Sequence, residues 1–219
     1  MTINYAQARE NMVEQQIRPW DVLDARVLDT LATLPREAFV PPAHSALAYA
    51  DLELPLGHGQ KMMKPVIEGR TLQALDLQAG EDVLEIGTGS GFLTACLADL
   101  GREVVSLELR PELAALARGN LDAAGLGSNV RIETADAMSW TTDRQFDVVC
   151  VTAAVDTLPE AFLAWVRPGG RLFVIRGRSP AMEAILVHNE AGGARIESLF
   201  ETDDATYLTG AAPVPQFVF

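Results

Sequence analysis

Apolar residues recur at helical spacing over the first third of the chain. Met12, Val13 and Ile17, for example, share one face of a helix. The pattern predicts three helices in this part of the chain, over residues 5–18, 22–34 and 66–75. Residues 54–65 are instead predicted to form a loop, because two glycines and a proline interrupt the stretch.

From Asp82 onward the hydrophobic period changes, and short apolar strands alternate with helical segments. Five strands are predicted, over residues 82–86, 103–108, 130–134, 146–151 and 171–175. Helices are predicted between them, over residues 92–100, 111–124 and 159–166. This alternation is typical of βαβ units and predicts a parallel sheet. Beyond residue 177, alternating apolar positions predict antiparallel strands over 183–188, 195–201 and 214–219.

These elements predict one α/β domain over residues 1–219. We expect a doubly wound, mostly parallel sheet with helices before it and antiparallel strands after it. A chain of 219 residues that is 48% hydrophobic can bury one sizeable core.

Composition excludes several classes of function. The formal charge of −13 would repel a nucleic-acid backbone, which binding proteins neutralise with clustered Lys and Arg. Apolar stretches fall short of the roughly 20 residues that span a bilayer, and residues 1–20 lack the apolar core of a signal peptide. We therefore expect a cytoplasmic protein that binds neither membrane nor nucleic acid. The two cysteines, Cys96 and Cys150, and three scattered histidines predict neither a disulfide nor a metal site.

A glycine-rich motif, Glu-Ile-Gly-Thr-Gly-Ser-Gly, lies at residues 85–91 between the first predicted strand of the sheet and an apolar helix. Ligands bind at this carboxyl edge in open α/β sheets, where glycines let the backbone approach them. A dinucleotide fingerprint requires a glycine or alanine where this chain has Phe92. The motif therefore disfavours a nicotinamide dehydrogenase.

Acidic residues follow the next two predicted strands. Glu108 ends the second strand about 20 residues after Gly87, where a carboxylate can accept hydrogen bonds from both hydroxyls of a ribose. Asp136 comes just after the third strand. Either acid alone could be an ordinary solvated residue at a strand end. The glycine motif, Glu108 and Asp136 together predict a nucleoside cofactor.

The glycine motif, with Glu85 two residues before its first glycine, resembles the first motif of S-adenosylmethionine methyltransferases. The resemblance implies that S-adenosyl-L-methionine binds with its methionine end on residues 87–91, its ribose at Glu108 and its adenine at Asp136. The cofactor-binding residues expected on this basis are Gln60, Glu85, Gly87, Thr88, Gly89, Ser90, Gly91, Glu108, Leu109, Asp136, Ala137 and Thr152.

Five segments in succession resemble signatures of the protein-L-isoaspartate O-methyltransferase family. They are residues 12–16, 35–41, 54–60, 85–91 and 151–154. The resemblance implies methylation of the carboxylate of an isoaspartyl residue in a protein or peptide, the first step of protein repair. It divides the domain into an N-terminal helical cap with a substrate loop (1–80), a cofactor-binding core (81–177) and C-terminal strands (178–219).

The loop that carries the family's catalytic serine is altered. The family reads Thr-Ile-Ser, one residue and Pro, whereas residues 61–65 read Lys-Met-Met-Lys-Pro. Since Pro65 keeps the register, Met63 occupies the serine position, and no catalytic residue is assigned. We expect weak or lost isoaspartyl activity, or another carboxylate acceptor. The alternative from a different class is a catalytically silent cofactor-binding module that acts through a protein partner.

The substrate side is expected to consist of His58, Lys61, Met63, Ala153 and Ala154. Several interpretations stay open. Lys61 or Lys64 either attracts an anionic acceptor or is simply solvated. His58 is a candidate general base for a hydroxyl or amine acceptor. Residues 152–154 either border the acceptor or pack at a strand end, and Gln60 either contacts the cofactor or stabilises a turn.

Overall fold

The structure is a computed structural model and describes residues 3–203 and 205–214. Its helices are α1 (Tyr5–Met12), α2 (Ala25–Thr33), α3 (Pro65–Leu75), α4 (Phe92–Leu100), α5 (Pro111–Ala123) and α6 (Glu160–Ala164). Its strands are β1 (Leu54–Gly57), β2 (Gln60–Met62), β3 (Asp82–Ile86), β4 (Glu103–Glu108), β5 (Val130–Thr134), β6 (Phe146–Val155), β7 (Val166–Arg178), β8 (Ala181–Glu190) and β9 (Gly193–Thr202).

Seven strands form one sheet in the order β5-β4-β3-β6-β7-β8-β9. The first five in this order pair in parallel, whereas β8 and β9 are antiparallel. The predicted fold class is therefore confirmed. The chain moves outward from β3 through β4 to β5 and then returns to the other side of β3 at β6. Such a reversal opens a crevice at the carboxyl ends of the two central strands.

The sheet is apolar on both faces, which explains the continuous hydrophobic runs in its sequence. Val83, Val104 and Val148 pack into a core shared with the N-terminal helices and α4. Their neighbours Leu84 and Val105 pack into a second core on the other face, with Phe162 and Trp165. Side chains therefore cover both faces of the central strands.

The predicted helix over residues 5–18 is shorter than expected. Helix α1 ends at Met12 and is followed by a π-helical turn, Val13–Ile17, and a 3₁₀ turn, Arg18–Trp20. Pro19 lies in that last turn and has no N–H to continue a helix. Asp21 then adopts a left-handed conformation with φ of 62°, which ends the helical segment.

The prediction of a loop over residues 54–65 was wrong, because β1 and β2 form an antiparallel hairpin there. The turn uses three consecutive positive φ angles, at Gly57 (91°), His58 (52°) and Gly59 (72°). Leu54 and Met62 face each other across the hairpin, and both are buried. Strands of four and three residues are too short to show a clear period.

Strand β6 is longer than predicted, so residues 152–154 lie within it and not after it. The extension has a partner in residues 206–208. The N–H of Ala154 donates to the carbonyl of Thr206 at 2.8 Å, and the N–H of Leu208 donates to the carbonyl of Ala154 at 2.8 Å. Of the strand predicted over residues 214–219, Val214 lies outside any strand and residues 215–219 are outside the described residues.

Candidate cofactor and acceptor site

The glycine turn after β3 exposes backbone where side chains would otherwise stand. Gly87, Gly89 and Gly91 have φ angles of 99°, 56° and 86°. A Cβ atom on Gly87 would collide with Oγ1 of Thr152 on β6. That hydroxyl lies 2.6 Å from the carbonyl oxygen of Gly87, within hydrogen-bonding distance. The turn therefore requires glycine and brings bare backbone to the edge of the crevice.

Glu108, the last residue of β4, joins two turns at this edge. Its Oε2 accepts a hydrogen bond from the N–H of Gly89 at 3.0 Å, and its Oε1 accepts one from the N–H of Arg110 at 3.0 Å. The side chain is only 6% exposed yet borders the crevice. A carboxylate held in this way is positioned to accept further hydrogen bonds from hydroxyl groups of a ligand.

Glu85 lies beneath the glycine turn. Its Oε2 accepts hydrogen bonds from the hydroxyls of Thr94 and Ser106, each at 2.5 Å. The hydroxyl of Ser106 also lies 2.5 Å from that of Thr88 within the turn. Burial raises the pKa of Glu85 to about 8, and the negative charge of Glu108 adds to the increase. Glu85 therefore supports the turn from behind and does not line the crevice.

The crevice is a cleft of about 880 Å³, counted to its open mouth. Its walls are the β1–β2 hairpin, the glycine turn, the ends of β4 and β5, and residues 206–209. It brings together most of the predicted site residues, namely Gln60, Lys61, Met63, Gly87, Thr88, Gly89, Ser90, Glu108, Leu109, Asp136, Ala137, Thr152 and Ala153.

Four predicted residues do not line the cleft. Besides Glu85, they are Gly91, Ala154 and His58. Gly91 packs against Ala117 of α5, and Ala154 is buried in the pairing of β6 with residues 206–208. His58 is exposed at the tip of the hairpin.

Asp136 lies at the open end of the cleft, just beyond β5. Its Oδ1 accepts a hydrogen bond from the N–H of Met138 at 2.9 Å, and its carbonyl accepts bonds from the N–H groups of Ser139 and Trp140. The resulting turn holds an exposed carboxylate beside Ala137, which is buried.

The hairpin forms a wall of the cleft next to the glycine turn. Nζ of Lys61 forms an ion pair with Oε2 of Glu53 at 2.7 Å. Met63 is half-buried in the cleft wall. A neighbouring cavity of about 430 Å³ shares Lys61, Met63, Thr152 and Thr206 with the cleft. This second space adjoins the cleft at the position of the family serine and is the candidate acceptor side.

A buried ion pair that sequence reasoning missed supports the hairpin. Arg36 is fully buried, and its Nη1 lies 3.4 Å from Oε2 of Glu68, which is 2% exposed. Nη2 of Arg36 donates to the carbonyl of Met63 at 2.7 Å, and Nη1 lies 3.2 Å from the sulfur of Met62. The guanidinium also lies 5.1 Å from the centre of the Phe92 ring, at the start of α4.

Burial raises the pKa of Glu68 to about 7, although the positive charge of Arg36 opposes the increase. Glu68 also lines the cleft. A charged residue inside the apolar run of α3 was the available signal for it, since such residues are almost never fully buried without a partner. Arg36 lies in one of the signature segments, residues 35–41, but nothing in the sequence pairs it with Glu68.

Three further wall residues, Thr206, Leu208 and Thr209, come from the segment after β9. This segment has no regular hydrophobic period, so the sequence offered no signal for its position. Its role in the wall depends on pairing with β6.

Other features of the described residues bear on the remaining predictions. Cys96 and Cys150 are buried free thiols. Within residues 3–203 and 205–214, no group of three or more His, Cys, Asp or Glu side chains could hold a metal ion. In the same ranges, no helix has the length and apolar character needed to cross a bilayer.

Comparison with known proteins places the chain in a family. The sequence profile described as Protein-L-isoaspartate(D-aspartate) O-methyltransferase (PCMT) matches residues 7–200. The chain is 40% identical over 193 residues to a protein-L-isoaspartate O-methyltransferase of Methylorubrum extorquens, covering 88% of this chain and 84% of that protein. The chain belongs to the protein-L-isoaspartate O-methyltransferase family. This is an enzyme family that depends on S-adenosylmethionine, so the predicted family, enzyme class and cofactor are confirmed.

Other relatives agree over nearly the whole length. Protein-L-isoaspartate O-methyltransferase 1 of Syntrophobacter fumaroxidans is 37% identical over 206 residues, which cover 90% of this chain and 96% of that protein. A solved structure from Plasmodium falciparum, bound to S-adenosyl-L-homocysteine, superposes with a TM-score of 0.80 at 19% identity, covering 94% and 99% of the two chains. That likeness concerns the fold. The comparisons do not favour the silent-module alternative.

The residues of the cleft fit the cofactor that the family uses. Gly87 and Gly89 present bare backbone at the edge of the cleft, and Glu108, which accepts a hydrogen bond from the N–H of Gly89, lines the cleft beside them. Apolar residues Leu93, Leu107 and Leu113 complete the wall on this side. A nucleoside with a polar amino-acid tail is well matched by such a combination of bare backbone, one acid and an apolar wall.

Proposed function

We propose that this protein transfers a methyl group from S-adenosylmethionine to a carboxylate of a protein substrate, of which isoaspartyl residues are the first candidate. The observation that carries the proposal is the shared cleft. Met63 on the hairpin side and the glycine turn on the sheet side line one cavity. A second cavity adjoins it at Met63. The relatives described as protein-L-isoaspartate O-methyltransferases support the choice of acceptor.

The reaction requires little from acid or base groups. A carboxylate with an ordinary pKa near 4 is already ionised at neutral pH. The cofactor supplies an electrophilic methyl group on a sulfonium. A carboxylate oxygen forms a bond to that methyl as the bond between carbon and sulfur breaks, giving a methyl ester and S-adenosylhomocysteine. The protein has to orient the two groups and exclude water, which can supply roughly 7–11 kcal/mol.

Glu108 and the glycine turn orient the cofactor in this proposal, and the hairpin orients the acceptor. Met63 offers the acceptor no hydroxyl. The positive charge of Lys61 is partly balanced by Glu53 at 2.7 Å, so it is a poor substitute for a directed hydrogen bond. We therefore expect isoaspartyl methylation to be slow in the unaltered protein.

The test is transfer of labelled methyl groups to an isoaspartyl peptide, with the matched aspartyl peptide as a control. Replacing residues 61–63 with Thr-Ile-Ser (Lys61→Thr, Met62→Ile, Met63→Ser) is expected to raise the rate at least tenfold. One hydrogen bond to a charged acceptor is worth about 1.5–3 kcal/mol, and 1.36 kcal/mol corresponds to tenfold in rate.

A cofactor-side control separates the two halves of the site. Glu108→Ala is expected to weaken S-adenosylmethionine binding at least tenfold and to lower every methylation rate. If the unaltered protein methylates isoaspartyl peptides as fast as the restored loop does, Met63 is not a handicap. If neither form does so while both bind the cofactor, the acceptor is a different carboxylate, which a labelled cell extract would reveal.

Three finer assignments belong to the same proposal. The cofactor-binding residues are those predicted from the motifs and gathered in the cleft. The chain is divided at residues 80 and 177 into cap, core and C-terminal strands. A cytoplasmic location suits a repair enzyme with this charge. Expression of residues 81–177 alone would test whether the three parts form a single domain. We expect that fragment not to fold, because it lacks the strands that continue its sheet.

A further inference from the structure

Glu68 is a buried carboxyl group whose hydrogen bonding is incomplete. It lies in the first turn of α3 and lines the cofactor cleft. Its Oε2 is buried and has no hydrogen-bond partner among the residues that the structure describes. Buried polar atoms are nearly always satisfied, and an exception inside a cleft points to a missing partner.

Its counter-ion does not satisfy it. Nη1 of Arg36 lies 3.4 Å from Oε2 of Glu68, which is an ion-pair distance without hydrogen-bond geometry. The same guanidinium is used by the hairpin, through the carbonyl of Met63 and the sulfur of Met62. Arg36 therefore stabilises the hairpin with its best-directed N–H group and leaves Glu68 incompletely compensated.

The remaining groups around Glu68 favour a further positive charge. Asp51, which accepts a hydrogen bond from the N–H of Val66, contributes a second negative charge. Burial raises the pKa of the Cys96 thiol on α4 well above the ordinary value, and the charge of Glu68 adds to the increase. Cys96 is therefore uncharged. The charged side chains lining the cleft itself are Lys61, Glu108, Arg110 and Asp136, besides Glu68. Glu68 is therefore influenced by one positive charge, that of Arg36, and by one further negative charge, that of Asp51.

We propose that Glu68 recognises the positive charge of the cofactor, because the sulfonium of S-adenosylmethionine favours its ionised form and the uncharged sulfur of S-adenosylhomocysteine does not. Both ligands carry the same ammonium and carboxylate, so they differ in charge only at the sulfur. The inference rests on the cofactor half of the proposed function and is independent of the acceptor. It makes Glu68 a group that favours substrate over product.

The ligand-free state of Glu68 makes the effect measurable near neutral pH. Its pKa of about 7 means that the carboxyl group is about half ionised there. A bound cation lowers that pKa, so binding of S-adenosylmethionine releases protons and tightens as pH rises through 7. The neutral product has less effect on the equilibrium. If the cation lowers the pKa by about one unit, the preference for S-adenosylmethionine over product rises about fivefold from pH 6 to pH 8.

Isothermal titration calorimetry of the full chain tests this with S-adenosylmethionine and S-adenosylhomocysteine at pH 6, 7 and 8. At pH 7, two buffers of different ionisation enthalpy give the number of protons released. The unaltered protein is expected to release more protons with S-adenosylmethionine than with the product. Glu68→Gln is expected to abolish that difference and the pH dependence of the preference. Glu112→Gln, at an exposed position on α5, is the matched control and should behave like the unaltered protein.

Equal proton release with both ligands in the unaltered protein would overturn the inference, even if Glu68→Gln did not fold. So would a pH-dependent preference that survives in Glu68→Gln, because it would belong to another group such as Glu85. Failure to bind either ligand would contradict the proposed function itself, and is distinguishable from binding without discrimination.

Discussion

The tolerance of individual glycines to a methyl group depends on φ and on the atoms nearby. Gly87 has a φ of 99°, and a Cβ added there would collide with Oγ1 of Thr152. Gly119 lies within α5, and an added Cβ there would have no heavy atom within 4 Å. The same substitution should therefore have opposite effects at these two positions.

Gly87→Ala is expected to destabilise the fold by about 1–3 kcal/mol, because alanine is strained at this φ and displaces Thr152. It should also weaken S-adenosylmethionine binding at least tenfold. Gly119→Ala is expected to stabilise the protein by about 0.5–1 kcal/mol and to leave binding unchanged. Urea unfolding and calorimetry on both variants provide the measurement. Normal cofactor affinity in Gly87→Ala would show that the turn does not contact the ligand.

Single residues differ in how far the sequence could place them. Gly87 and Glu108 were placed in the cleft from sequence because a strand, a tight turn and a second strand fix their positions locally. Arg36 and Glu68 escaped prediction because their pairing depends on how a 3₁₀ turn packs against α3. No local pattern encodes such packing.

The hairpin of β1 and β2 lines both the cleft and the neighbouring cavity. A Cβ on Gly89 would lie 3.3 Å from Cδ1 of Leu56, so the hairpin rests directly on the glycine turn. Lys61 is exposed at its rim. A ligand between the turn and the hairpin should restrain both.

Trypsin is expected to cut after Lys61 in the free protein and to do so at least severalfold more slowly with saturating S-adenosylmethionine, because local opening exposes the bond. The bond after Lys64 is not used in the assay, because Pro65 follows it. Arg195, exposed on β9 away from the cleft, is the internal control. Mass spectrometry of the fragments gives both rates. Equal slowing at both sites would indicate global stabilisation and no closure of the hairpin.

Elements of the central sheet were predictable and those around the site were less so. Strands β3, β4 and β5 match their predicted bounds because they are short runs of apolar residues between clear turns. The strands of the hairpin are too short to show a period, and the extension of β6 depends on a partner that the sequence does not reveal. The extension pairs with residues 206–208, far away along the chain. Local pattern determines the scaffold, and tertiary pairing determines the walls of the cleft.

At the scale of the whole molecule, ionisation works against stability as pH rises. Burial raises the folded-state pKa of Glu68 to about 7 and of Glu85 to about 8. Since both values lie above the unfolded value of 4.5, their contribution to stability is fully present below pH 4.5. It is lost as pH rises through the folded values. Carboxyl groups with a lowered pKa, such as Asp82, whose pKa the hydrogen-bonded Arg102 lowers, affect stability only at lower pH.

The thermal midpoint of the ligand-free protein is therefore expected to be several degrees lower at pH 8.5 than at pH 6, since a loss of about 1 kcal/mol shifts it by roughly 2–4 °C in a chain of this size. Differential scanning calorimetry at constant ionic strength measures the change. The double variant Glu68→Gln, Glu85→Gln should show a much flatter profile. A midpoint that rises over this range would mean that the two carboxyls are already ionised in the folded protein.

The cleft joins parts of the chain that are made at very different times. Its hairpin wall is contributed by residues 54–63, whereas Thr206, Leu208 and Thr209 belong to the segment that pairs with Ala154. Contacts between such distant segments form late in folding. During synthesis, the glycine turn can assemble with β3, β4 and β6 while the last wall is still within the ribosome. A nascent chain therefore has an incomplete cleft until residues 206–209 have emerged, however early the central sheet forms.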